Sequence, residues 1–369
     1  MMGFSAGRRR LRVGFAAVAV GFAVGLSGCT SAKTDAKAAP AGSSAAPVPM
    51  VIGHEQAEAV FNRYLSERTA SLDRRDVAGL AVLETGELLK ESLALIQVAK
   101  LRGVDVPEFS FGRPEFFVPA ERDQQGYPRS FVVLTREPSD HVNATRDAAV
   151  HYFVQEAAGG EWKAAARSWV NDKPVTPGKN DARMYKIFGF TARSKEIAAV
   201  GRDASGAVVL SPAAAADREV CGRYAEYMSF TAPDGEPESQ HFLPGELTGD
   251  VVKAFNVLKE DLALVRKRYA FEKAGPELPV VRLADGKSLV TCTFLRTDYW
   301  TGKNATFRYG NGELGGVDAL LGGEYGWWRD TTARRSATVT FEVAPAVPAD
   351  VVGSNALQAP LLSAEGTPK

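Results

Sequence analysis

The chain has 369 residues, of which 45% are apolar and 24% charged, a balance that excludes wholesale disorder and fibrous repeats. At roughly 150 residues per domain this length suits two domains. Lys plus Arg total 44 and Asp plus Glu total 44, so no bulk positive charge draws in a phosphate backbone, and nucleic acid is not an expected partner.

The N-terminus carries the strongest signal. Arg8, Arg9, Arg10 and Arg12 form a positive region, and Val13 to Leu26 follows without a charge. That apolar run is shorter than the ~20 residues a helix needs to span a bilayer, and the layout is that of a secretory signal. It closes on Leu26-Ser27-Gly28-Cys29. This segment resembles the bacterial lipobox, which implies cleavage between Gly28 and Cys29 and diacylglycerol transfer to the Cys29 thiol. Arg8-Arg9-Arg10-Leu11 also admits twin-arginine export in place of the general secretory route. Removing residues 1–28 would take away four arginines and no acids, leaving 40 basic against 44 acidic residues. Acyl chains on Cys29 would make the membrane the first partner, with the body on its extracytoplasmic face.

Thr30 to Met50 is rich in Ala, Ser, Pro and Gly, with no aromatic residue. It cannot bury enough apolar surface to offset ordering, so a flexible tether of on the order of 25 Å is expected. A first α+β domain is expected over 51–205. His54–Leu72 has helical spacing, and a second helical stretch runs from Val77 to about Lys100, ended by Gly103 and Pro107. The period then falls to two, giving strands at Phe109–Phe111, Ser130–Arg136, Ala149–Ala157 and Glu161–Trp169. Trp162 and Trp169, an odd number of residues apart, are expected on opposite faces. The hairpin Gly159-Gly160-Glu161-Trp162-Lys163 leading to Ser168-Trp169 resembles the SnoaL-like or nuclear-transport-factor-like cone fold. That likeness implies a curved antiparallel sheet around a long helix, in a superfamily holding both enzymes and binding proteins.

A second α+β domain is expected over 212–354. It would comprise a helix from Ala213, a long helix from Thr248 to Lys273, and strands at Leu289–Arg296 and Arg335–Val343. The last alternates Ala337, Val339, Phe341 and Val343 with Ser336, Thr338, Thr340 and Glu342. Residues 355–369 have few structure signals and are expected to be frayed. Lipobox, tether and these two halves together resemble actinobacterial envelope lipoproteins, which implies envelope location and no particular activity.

Candidate chemistry is sparse. Gly310-Asn311-Gly312-Glu313-Leu314-Gly315 matches a dinucleotide pattern, but Gly322-Gly323 stops any following helix, so no cofactor is expected. The histidines lack zinc spacing, and no nucleophile–base pair is evident, so no metal or catalytic residue is assigned. His151, in a strand, is the candidate general base of an alternative reading, a cone-fold enzyme acting on a small molecule or glycan. Cys221 shares a helical face with Tyr224 and Met228, and Cys292 a strand face with Val290 and Phe294. Either a disulfide or two buried thiols fits. Trp300, Trp327 and Trp328 lie near carboxylates and suit stacking on a sugar ring or ordinary packing. The favoured reading is a lipid-anchored extracytoplasmic protein with a non-enzymatic binding or structural role toward an envelope protein or small ligand.

Overall fold

Helix ends in the first half are set by local chemistry. The computed structural model describes residues 48–106, 111–136, 148–170, 197–232, 237, 239–245, 247–256, 264–309, 316–322, 326–356 and 359–369. The leader, Gly28, Cys29 and the tether up to residue 47 lie outside them, as does 310–315. Helix α1 spans His54–Arg74, α2 Val77–Leu83 and α3 Gly86–Arg102. Arg75 closes α1 in the left-handed region, and Asp76 opens α2 by accepting the Gly79 N–H at 2.9 Å, the ordinary work of an acidic N-cap. The single stretch expected over Val77–Lys100 is broken at Glu84–Thr85. Gly86 sits at φ +59°, outside the right-handed helical region, and the Thr85 N–H bonds the Ala164 carbonyl at 2.9 Å.

Strands β1 (Pro114–Phe117), β2 (Arg129–Arg136), β3 (Ala148–Gln155) and β4 (Lys163–Val170) pair in that order, all antiparallel. The strand expected at Phe109–Phe111 is displaced. Residues 109 and 110 lie outside the described residues, Phe111 is in no strand, and β1 begins at Pro114. A proline is tolerated there, at the first residue of an edge strand. Helix α1 packs Phe61 and Tyr64 against Phe131, Val133 and Phe153 on one face of this sheet.

The two tryptophans do not point apart. A register shift opposite Tyr152 and Phe153 inserts one residue into β4, and an extra residue reverses side-chain parity. Trp162 meets Phe131 edge-on, and Trp169 stacks on Phe111, which also meets His151. Both therefore face α1.

The second half opens with α4 (Ala214–Asp217) and α5 (Glu219–Met228), then a short β5 (Thr231–Ala232) and α6 (Gly249–Asn256). The helix expected to run to Lys273 does not. Val265–Ala274 is strand β6, with Val265, Lys267, Tyr269 and Phe271 buried in alternation. Val265 and Tyr269, four apart, satisfy both a helical and a period-two pattern, and the alternating residues between them decide for the strand. Strands β7 (Val281–Arg282), β8 (Ser288–Gly302), β9 (Trp328–Val343) and β10 (Asp350–Ser354) follow, with α7 (Val317–Leu320) between β8 and β9. The sheet order is β10-β9-β8-β6-β5, with β7 on β8. One face of β8 and β9 presents Val290, Cys292, Phe294, Ala337, Val339 and Phe341 to Cys221, Tyr224 and Met228 of α5. Cys221 and Cys292 are joined by a disulfide across that core, with Cα atoms 5.8 Å apart.

The C-terminal residues are not frayed. Leu361–Pro368 forms β11, antiparallel to β9. The reason is a buried ion pair on the sheet. Asp298 takes two hydrogen bonds from Arg296, at 2.6 and 2.7 Å, and one from Arg335 at 3.2 Å. Nη1 of Arg296 and Nη1 of Arg335 donate to the carbonyls of Ala356 and Ala359, fixing the chain that leads into β11.

The opposite face of β8 and β9 is buried too, although it is polar. Ser336, Thr338, Thr340 and Glu342 are each no more than 4% exposed. They meet the first half: Tyr152 donates to Thr291 at 2.6 Å, Thr291 and Thr340 share a hydrogen bond of 2.8 Å, and Thr340 donates to Ser168 at 2.7 Å. Beside this seam, Val132, Val150 and Val170 pack on Val281, Leu289 and Val352. Residues 47–369 accordingly form one compact unit, an α+β arrangement of helices on two curled antiparallel sheets. Among the described residues no helix is long and apolar enough to cross a membrane.

The disulfide links positions 71 residues apart, a span for which loop-closure entropy gives about 4 kcal/mol. The double variant Cys221→Ser, Cys292→Ser should therefore lose about 2–4 kcal/mol of stability in urea unfolding. An unchanged midpoint would show that the bridge contributes nothing.

Candidate functional site

Breaking the helix at Glu84 turns a carboxylate inward, and the interior between α1, α3 and β3–β4 gathers charges around it. Arg68 of α1 pairs with Glu84 at 2.7 Å and donates to Ser92 at 3.2 Å. Tyr64 donates to the same Glu84 oxygen at 3.2 Å. Glu91 of α3 accepts from Ser336 of β9 at 2.6 Å, so the cluster touches the second half directly. Arg167 of β4 acts electrostatically on Tyr64, Glu91 and His151, and Arg68 acts on Arg167 in turn. Burial raises the Glu91 carboxyl to about 7, against the lowering effect of its Ser336 hydrogen bond and of Arg167.

His151 sits at the edge of this group and is fully buried. The rings of Phe61, Tyr64 and Phe111 meet it edge-on, at centroid distances of 5.4, 6.4 and 4.8 Å. Its Nε2 lies 3.3 Å from the Thr135 hydroxyl, and its Nδ1 has no hydrogen-bond partner among the described residues. Burial, followed by Arg167 and Arg68, holds its pKa well below the usual value. The imidazole is thus neutral and walled in by rings, with a hydroxyl rather than a carboxylate as its partner. General-base chemistry would need a path to substrate through those rings.

The other residues singled out in the sequence are not brought together with it. Trp300 and Trp328 pack partly buried around Phe307, Tyr309 and Val317, and Lys267 lies 4.2 Å from the centre of the Trp300 ring. Trp327 is 47% exposed, with Arg308 over its ring at 5.7 Å. Among the described residues no group of three His, Cys, Asp or Glu is placed to hold a metal ion.

Open space lies elsewhere. A cleft of about 470 Å³ runs between Val132, Leu134 and Val150 of the first sheet, Ile197 and Val200 of the segment that precedes the second half, and Leu289 of the second half. Glu115, Arg136 and Arg202 stand at its polar end and also line a wider hollow of about 990 Å³ that includes His54, Glu58 and Arg113. A third hollow, near 950 Å³, lies by Arg223, Tyr227 and His241. The cleft has no signature in the sequence, because its walls come from segments about 45 to 155 residues apart. The buried ions were equally hidden. Arg68, Glu84 and Glu91 look like solvated helix charges until the fold closes over them.

Comparisons with protein-family models, with curated proteins and with solved structures return no match for this chain.

Glu91 makes the cluster pH-dependent in a stated direction. Its folded pKa lies above the unfolded one, so the stability it contributes is complete below about 4.5 and is lost as pH rises through about 7. The loss is on the order of 3 kcal/mol. Glu91→Gln should remove that dependence, so urea unfolding at pH 4.5 and 8 should show the wild type losing stability relative to the variant. Parallel pH profiles would contradict the raised pKa.

Proposed function

We propose that the protein is a membrane-anchored extracytoplasmic lipoprotein that binds a ligand or partner at the cell envelope and does not act on it chemically. The observation that carries the anchor is Leu26-Ser27-Gly28-Cys29, placed after an arginine-rich start and an uncharged run. In this reading Cys29 takes the lipid, the stretch expected as a tether over 30–50 spaces the body from the membrane until its end, where Met50 already pairs with Ala120, and the mature chain carries an excess of acid. The first half is read as a cone-like fold whose sheet curls around α1.

Binding is favoured over catalysis by what surrounds His151. An enzyme of the cone type would need that imidazole open to substrate and beside an acid or base. Instead aromatic rings fill its surroundings, and His151 lines none of the three hollows described above.

Metabolic labelling with a fatty-acid analogue tests the anchor. Wild-type protein should be labelled and membrane-bound, while Cys29→Ala should be unlabelled and lose stable membrane attachment. A labelled variant, or an unlabelled wild type whose intact mass still includes Met1, would overturn the proposal.

A further inference from the structure

We propose that the cleft between the first sheet and residues 197–202 binds an uncharged long-chain molecule, an alkyl chain ending in a hydroxyl or ester and not in an ionised head. This rests on the reading of the chain as a binding protein and supplies the ligand class.

The apolar lining passes from interior to surface. Val132, Val150 and Leu289 are buried, whereas Leu134, Ile197 and Val200 are half-buried, so an apolar chain laid along them takes their remaining surface out of water. Both walls are fixed by backbone hydrogen bonds, which keep the space from closing. On one side runs the ladder of β1, β2 and β3. On the other, the Ala199 carbonyl accepts from the Ala284 N–H at 2.7 Å, and the Gly201 N–H donates to the Arg282 carbonyl at 2.8 Å. A space of about 470 Å³ between fixed apolar walls has the size and character of a small-molecule site.

The polar end selects against charge. Glu115, Arg136 and Arg202 are the charged lining residues, and the Glu115 carboxylate stands 3.6 Å from each guanidinium. Arg136 has a further interaction of its own. Arg202 donates to the Phe116 and Gly206 carbonyls at 3.1 Å and lies over the Phe117 ring at 5.4 Å. Both guanidiniums are therefore committed before any ligand arrives. An ionised head entering here would give up its water and meet the Glu115 carboxylate as a like charge, whereas a hydroxyl or ester gives up far less.

Photo-crosslinking of the full chain with a diazirine-bearing long-chain alcohol, followed by peptide mapping, tests this, with the matched carboxylate as the charged comparison. Mapping separates the cleft from the apolar leader. The alcohol should label peptides carrying 132–136 and 197–202, and the carboxylate should label them several-fold less. Ala198→Trp, which fills the cleft, should cut the alcohol label about tenfold at unchanged Tm. Leu134→Trp serves as the filling variant should Ala198→Trp fail to fold. Glu115→Gln, which removes the like charge, should raise the carboxylate label relative to the alcohol label. Label found only outside the cleft, equal label in a folded filled variant, a wild-type carboxylate label that matches the alcohol's, or a ratio unmoved by Glu115→Gln would overturn the proposal. A cleft left unlabelled in a protein acylated at Cys29 would remove the ligand and keep the anchor. A labelled cleft in a chain never acylated would do the reverse.

Discussion

Four hydroxyls run in a line between the two sheets, from Tyr152 through Thr291 and Thr340 to Ser168. An unpaired hydroxyl in such a place costs on the order of 1–3 kcal/mol. Each of these has a partner, and a chain of hydrogen bonds in a low-dielectric interior strengthens its members. The rest of the molecule depends on this match. It lets β8 and β9 bury both faces, the apolar one under α5 and the hydroxyl-bearing one against β3 and β4. A slip of one residue in either strand would put Phe341 or Val339 where the hydroxyls meet and leave Ser168 and Tyr152 without partners.

The same match sets where the charges and the open space fall. Because Ser336 reaches Glu91 across the seam, the ions between α1, α3 and β4 are sealed from water, and His151 is sealed with them. Removing one ion of such a group is far costlier than never having built it, which gives the closed helix bundle a structural role. Beside the seam, apolar side chains of the first sheet and Leu289 line a gap of about 470 Å³ that they do not fill. The cleft lies there.

Much of the architecture could be read from residue patterns. Period-two runs located β2, β3 and the ends of β8 and β9, and helical spacing located α1 and α5. The alternation in 335–343 was legible, but a polar stripe on a strand ordinarily faces water, so its burial against a second sheet could not be seen in one strand. Errors came where a short pattern was ambiguous or its cause lay far away in sequence. Val265 and Tyr269 fit a helix and a strand equally well. One extra residue in β4 reversed the facing of Trp169. The pairing of Leu361–Pro368 with β9 depends on Arg296 and Arg335, which reach carbonyls that carry no sequence signature. The mouth of the cleft is built from Glu115, Arg136 and Arg202, charges that look like ordinary surface until the two sheets bring them together.

If the hydroxyl seam couples the halves, they should open as one. Native-state hydrogen exchange at rising denaturant measures this directly, by following amides of β3 and β9. The account predicts that Tyr152 and Thr340 amides merge into a single global opening with the same free energy and denaturant dependence. Exchange of β3 through a cheaper, separate opening while β9 stays protected would contradict it.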